Sequence, residues 1–146
     1  MQITAPDYPA LKAFFAWAME HLRPPMPGLP AEHHPVAVME DLERRSMAMA
    51  RKGLALGIGD LVEDLSELTA GQVEVIDNAL KADGIITFTE VRARFWSKIR
   101  RIRNRGSVRN EDEYYALRNV VEGLPEAEQP EAWGLLAAYE ARAVTR

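Results

Sequence analysis

The sequence predicts an all-α fold, a bundle of about six helices in a single domain. Three observations carry this. Apolar residues recur at steps of three and four along almost the whole chain, the period of a helix with one buried face. Thr or Asn stands three residues before Glu or Gln at several segment starts, and Gly or Pro follows the segment ends. No run of alternating β-branched residues is long enough to need a sheet; "GIITF", residues 84–88, is the one short candidate strand.

The first helix is expected up to residue 23. Asp7 stands at its N-cap and Pro9 in its first turn, and Leu11, Phe14, Phe15, Ala18 and Leu22 form its apolar face. Pro24 and Pro25 stop it. Residues 24–35, "PPMPGLPAEHHP", hold five prolines in twelve residues, a composition that favours extended polyproline conformation. The main bundle is then expected over 36–146.

A helix from Pro35 ends near Ser46, which is placed to cap the next one. There Leu54, Ile58, Leu61, Leu65 and Leu68 make an amphipathic stripe. Gly53, Gly57 and Gly59 each lower helicity by roughly 1 kcal/mol relative to Ala. Gly53 and Gly57 share a face on which another helix could approach closely; the alternative is a break into two shorter helices. Thr69 and Gln72 have capping-box spacing, and Gly84 suits the C′ position of the helix they open.

Thr87 with Glu90 opens a helix expected to run to about Arg105 and stop at Gly106. Asn110 with Glu113 opens another, its core face being Tyr114, Leu117 and Val121. A final helix carries Trp133, Leu136 and Tyr139 inward.

Composition bounds the function. With 47% hydrophobic and 27% charged residues the chain is a folded globular protein, and 146 residues bury a core of roughly two thirds of the unfolded surface. The absence of Cys excludes disulfides, thiolate catalysis and Cys-ligated metal, and fits the expected cytoplasmic location. The N-terminal segment lacks the apolar core of a signal peptide. The most apolar later run meets Asp60 after seven residues, so no membrane span is expected.

Residues 92–109 hold eight Lys or Arg and no acid, inside a chain of formal charge −4. On a helix, Val91, Phe95, Ile99 and Ile102 fall within about 80°, a core seam bracketed by arginines. Arg94, Lys98, Arg101 and Arg105 form one flank; Arg92, Arg100 and Arg103 lie on the other with Trp96. This stripe either faces acids of the same fold or contacts a partner. Phosphate binding is the nucleic-acid version, with Arg100 and Asn104 placed to read base edges. The net acidity of the chain opposes it.

Other motifs lead away from catalysis. "ADGIITFTE" matches the back half of a calcium loop, but Ala79 and Lys81 occupy ligand positions. "GIGDLV" lacks the strand and third glycine of a dinucleotide fingerprint. His21, His33 and His34 do not form a chelating pattern, so neither metal nor cofactor is expected.

The expectation is therefore a small acidic protein-interaction module, of the kind of an immunity or antitoxin-like bacterial protein that masks a basic partner. An acidic surface speeds encounter with a cationic site. The alternative is a nucleic-acid-associated regulator using residues 92–109, and a helical enzyme comes third. The candidate interaction surface comprises Arg94, Trp96, Lys98, Arg100, Arg101, Arg105 and Tyr115 on one side. Asp60, Glu63, Asp64 and Glu67 make the acidic side.

Overall fold

The computed structural model describes residues 1–24 and 26–144. Among them the chain forms eight α-helices and no strand. These are α1 (Tyr8–His21), α2 (Pro35–Arg45), α3 (Met47–Asp64), α4 (Ala70–Ala82), α5 (Phe88–Phe95), α6 (Ser97–Arg105), α7 (Glu111–Arg118) and α8 (Gln129–Val144). Their contacts group them into two units. One is Met1–Leu68 with Asn78–Ile86; the other is Thr69–Asp77 with the chain from Thr87 onward.

The predicted helix starts are the ones the chain uses. Ser46 Oγ accepts the Met49 N–H at 3.3 Å, Thr87 Oγ1 the Glu90 N–H at 3.1 Å, and Asn110 Oδ1 the Glu113 N–H at 2.9 Å. Thr69 and Gln72 close a reciprocal box at 2.9 and 3.2 Å. Each such cap stabilises its helix by about 1 kcal/mol. At the end of α4, Gly84 takes φ +72°, so that the Ile85 N–H reaches the Leu80 carbonyl at 2.9 Å and the last turn closes. "GIITF" is thus a helix exit and the entry to α5. Asp7 holds the N-cap position of α1, but its carboxylate accepts the Thr4 hydroxyl at 2.8 Å and caps no helix N–H.

In the first unit, α1 buries Leu11, Phe14, Phe15, Trp17 and Ala18, while α3 buries Ala50, Leu54, Ile58, Leu61 and Val62. The segment after Ser46 is one unbroken helix, and its glycines show why they are there. A Cβ built on Gly57 would stand 2.9 Å from Cε1 of Phe15, so only glycine lets the ring seat against this backbone. The predicted stripe is shorter than expected, since α3 ends at Asp64 and leaves Leu65 and Leu68 half-buried beyond it. The proline-rich connection is not extended throughout. Gly28 turns it at φ +87°, the Leu29 N–H bonds the Met26 carbonyl at 3.1 Å, and a 3₁₀ turn follows at Ala31–His33. Pro25 lies outside the described residues.

In the second unit the predicted seam is buried: Val91, Phe95, Ile99 and Ile102, joined by Phe88, Leu117, Val121 and Leu136. The helix expected over 87–105 is two helices. Trp96 breaks it with extended backbone, φ −68° and ψ 124°. On a continuous helix this indole would stand about 100° off the seam. The break lets it go inside, where it keeps 7% exposure, so Trp96 is core and not the interface residue expected of it. Burying an indole contributes on the order of 4 kcal/mol, more than the few hydrogen bonds that the break forfeits. Trp133 is corrected in the opposite direction. The inward residues of α8 are Ala132 and Leu136, one helical turn apart, which leaves the adjacent Trp133 on the flank at 39% exposure. Tyr114 and Tyr139, expected inside, are half-buried.

Candidate functional site

The basic run is largely neutralised within its own unit. Arg92 is buried at 7% exposure with its guanidinium 4.5 Å from the Phe88 ring centroid. Burial lowers its pKa, and the Asp77 carboxylate works against that shift. Asp77 also accepts the Thr89 N–H at 3.2 Å and the Thr89 hydroxyl, tying α4 to the first turn of α5.

Lys98 pairs with Asp112, and Arg105 with Glu113. The Glu113 carboxylate accepts the Arg109 N–H as well, at 2.9 Å. Asn110–Glu113, the acidic run next in sequence, therefore folds back on the helix before it. Arg103 pairs with Glu128 at 3.0 Å. Arg94 reaches Glu90 only at 3.7 Å, and Arg100, Arg101 and Arg109 have no ion pair among the described side chains. Of the predicted basic surface, Lys98 and Arg105 are internal ties, whereas Arg94, Arg100 and Arg101 face solvent.

The acidic set lies in the first unit. Asp60, Glu63, Asp64 and Glu67 are all exposed; the first three end α3, and Glu67 follows the helix. Asp64 meets Arg23 at 3.4 Å, with both side chains half in water. Of the charged residues in that unit, eleven are acids and seven are Lys or Arg. No three His, Asp or Glu side chains converge on a metal position among the described residues. Nor is any helix among them long and apolar enough to cross a membrane.

The most distinctive surface of the second unit was only half visible in sequence. Tyr115, predicted as an interface residue, is 53% exposed. It meets Tyr114 edge-on at 5.2 Å between ring centroids, and Tyr114 lies 5.3 Å from Tyr139 across α7 and α8. One turn along α7 from Tyr115, Arg118 stacks over Trp133 at 4.8 Å. Arg142 approaches the Tyr139 ring at 6.0 Å and donates to the Val108 carbonyl at 2.5 Å. The Tyr114 hydroxyl donates to Glu140, and this bond raises its pKa. The outcome is an aromatic ridge in two parts, the three tyrosine rings and, one turn along α7, the Arg118–Trp133 stack. A signal for it existed in sequence: Tyr115 and Arg118 are neighbours on any helix, and Trp133 and Glu140 share a face seven residues apart.

Two clefts of about 310 Å³ open on this unit. One adjoins the ridge and is lined by Ser107, Val108, Arg109, Tyr139, Arg142 and Ala143. The other is lined by Ala93, Arg94, Arg100, Arg103, Asn104, Glu128 and Glu131. Neither brings a nucleophile together with a general base, the minimum for covalent hydrolytic chemistry. The chain matches no protein-family model, no curated protein and no solved structure.

Proposed function

We propose that this chain is a protein-interaction module whose binding face is the ridge of Tyr114, Tyr115, Arg118, Trp133 and Tyr139. The observation that carries the proposal is the Arg118–Trp133 stack, held in place yet 39% exposed at the indole. Trp, Tyr and Arg dominate binding energy at protein interfaces, because a rigid ring buries much area at little entropic cost. A side chain already stacked loses little further freedom on docking. The narrower form of this reading is an immunity or antitoxin-like protein that neutralises a basic partner. It draws on Asp60, Glu63, Asp64 and Glu67, four exposed acids at one end of α3. The nucleic-acid alternative is left with Arg94, Arg100, Arg101 and Arg109, since the remaining basic residues are buried or paired.

The test is capture from source cells with wild-type, W133A/Y115A and D60K/E63K baits, followed by titration of the purified partner. The ridge predicts one stoichiometric partner whose Kd rises about 30-fold or more in the W133A/Y115A variant. Loss in the D60K/E63K variant alone would move the interface to α3. Recovery of no stoichiometric partner by any bait would refute the interaction reading.

A further inference from the structure

The cleft of Arg94, Arg100 and Arg103 exists because of the break at Trp96. On one unbroken helix Arg94 would stand about 120° from Arg100 and about 180° from Arg103. With α5 and α6 as separate helices, all three guanidinium-bearing residues line a single cavity of about 310 Å³, the lower end of the size range of small-ligand sites. Asn104, one turn beyond Arg100, adds a side-chain amide to the wall.

Of the three arginines, Arg103 is occupied by Glu128 at 3.0 Å. Arg94 has only the long contact to Glu90 at 3.7 Å, and Arg100 has no ion pair among the described side chains. Two arginines on the wall of one cleft, each without a close carboxylate, carry the donors that a phosphoryl dianion demands, since its oxygens accept paired N–H groups. Glu131, on the same wall, is an acceptor with no ion pair among the described side chains, and it suits a hydroxyl of the same ligand.

We propose that this cleft binds a small phosphomonoester, with the phosphoryl group on Arg94 and Arg100 and a neighbouring hydroxyl on Glu131. This site is separate from the aromatic ridge and stands whether or not the ridge binds a protein. The phosphoryl group could belong to a free metabolite or to a nucleic-acid end or backbone, and the probes below separate these sources.

The experiment follows arginine side-chain N–H signals by NMR in the full-length protein. The titrants are inorganic phosphate, glucose 6-phosphate and a single-stranded oligonucleotide, with sodium chloride as the ionic-strength control. Saturable shifts at Arg94 and Arg100 are expected with phosphate and glucose 6-phosphate but not with chloride. R94Q and R100Q should each weaken binding about tenfold or more, while R101Q, which lies outside the cleft, leaves it unchanged. E131Q should weaken glucose 6-phosphate more than phosphate. Tighter binding of the oligonucleotide, lost equally in R101Q and R109Q, would identify a nucleic-acid source and overturn the free phosphomonoester. Shifts linear in concentration, or a loss in R101Q equal to that in R100Q, would overturn the site. All five substitutions are at exposed positions, and circular dichroism of each variant confirms that the fold is kept.

Discussion

Trp133 lies 4.8 Å beneath the guanidinium of Arg118, yet 39% of it remains in solvent, whereas Trp96, expected outside, is 93% covered. The two indoles have exchanged the roles that helical periodicity assigns them. Their substitutions should therefore separate stability from binding. Trp96→Ala empties a core position and is expected to cost about 3–5 kcal/mol in urea unfolding. Trp133→Ala removes a partly exposed stack and should cost less, about 2 kcal/mol. Equal losses would mean that Trp133 is a structural residue and that the ridge is no binding face.

Two glycines of α3, two residues apart, should respond with opposite signs. A methyl at Gly59 meets nothing within 4 Å, so Gly59→Ala is expected to stabilise the protein by about 1 kcal/mol through helix propensity. A methyl at Gly57 stands 2.9 Å from the Phe15 ring, which is packed and cannot swing aside. Overpacking of about 1–3 kcal/mol outweighs the same propensity gain, so Gly57→Ala should lower the unfolding midpoint. Thermal or urea unfolding of the two variants side by side checks both.

The neutralisation of the basic run is also measurable. Glu113 is 17% exposed, holds Arg105 and accepts the Arg109 N–H, so Glu113→Ala should cost about 2 kcal/mol. Asp112 pairs with Lys98 from a position 77% exposed, and Asp112→Ala should cost about 0.5 kcal/mol or less. In 1 M salt the small effect should vanish and most of the large one persist, because screening reaches the exposed pair first.

These contrasts locate what was legible in the sequence. Caps were, because Thr69, Thr87 and Asn110 act on groups three residues away, and such local chemistry needs no tertiary knowledge. The seam Val91–Phe95–Ile99–Ile102 was also legible, since its four residues stay on the inside on either side of the break. The break itself was not. Trp96 leaves helical backbone and is buried, and periodicity along one helix carries no sign of such a break. The same break re-sorted Arg94 with Arg100 and Arg103, residues that the helical wheel places on different flanks. The internal pairing of the basic run was half legible: the acids at 111–113 were in view, but which lysine or arginine each would meet depended on the turn through Gly106.

Tyr8 gives the first unit a defined alkaline limit. Its ring is 5% exposed and its hydroxyl is buried beside Glu43, which Lys12 pairs with at 2.5 Å. Burial, reinforced by the Glu43 charge, pushes the phenol up to about 12 from its ordinary 10. The neutral phenol is thus favoured in the folded state. Stability from this source is fully present below pH 10, where the unfolded chain is protonated too. It declines as the unfolded phenol ionises, and is lost as the pH passes through about 12. At pH 11 the difference amounts to about 1.4 kcal/mol. Tyr8→Phe removes the titration, and with the hydroxyl buried against the Glu43 carboxylate its loss should change stability at pH 7 by about 1 kcal/mol or less. Between pH 9 and 11 the wild type should therefore lose stability faster than Tyr8→Phe in urea unfolding. Parallel curves for the two proteins would show that the phenol titrates normally and that Glu43 does not act on it.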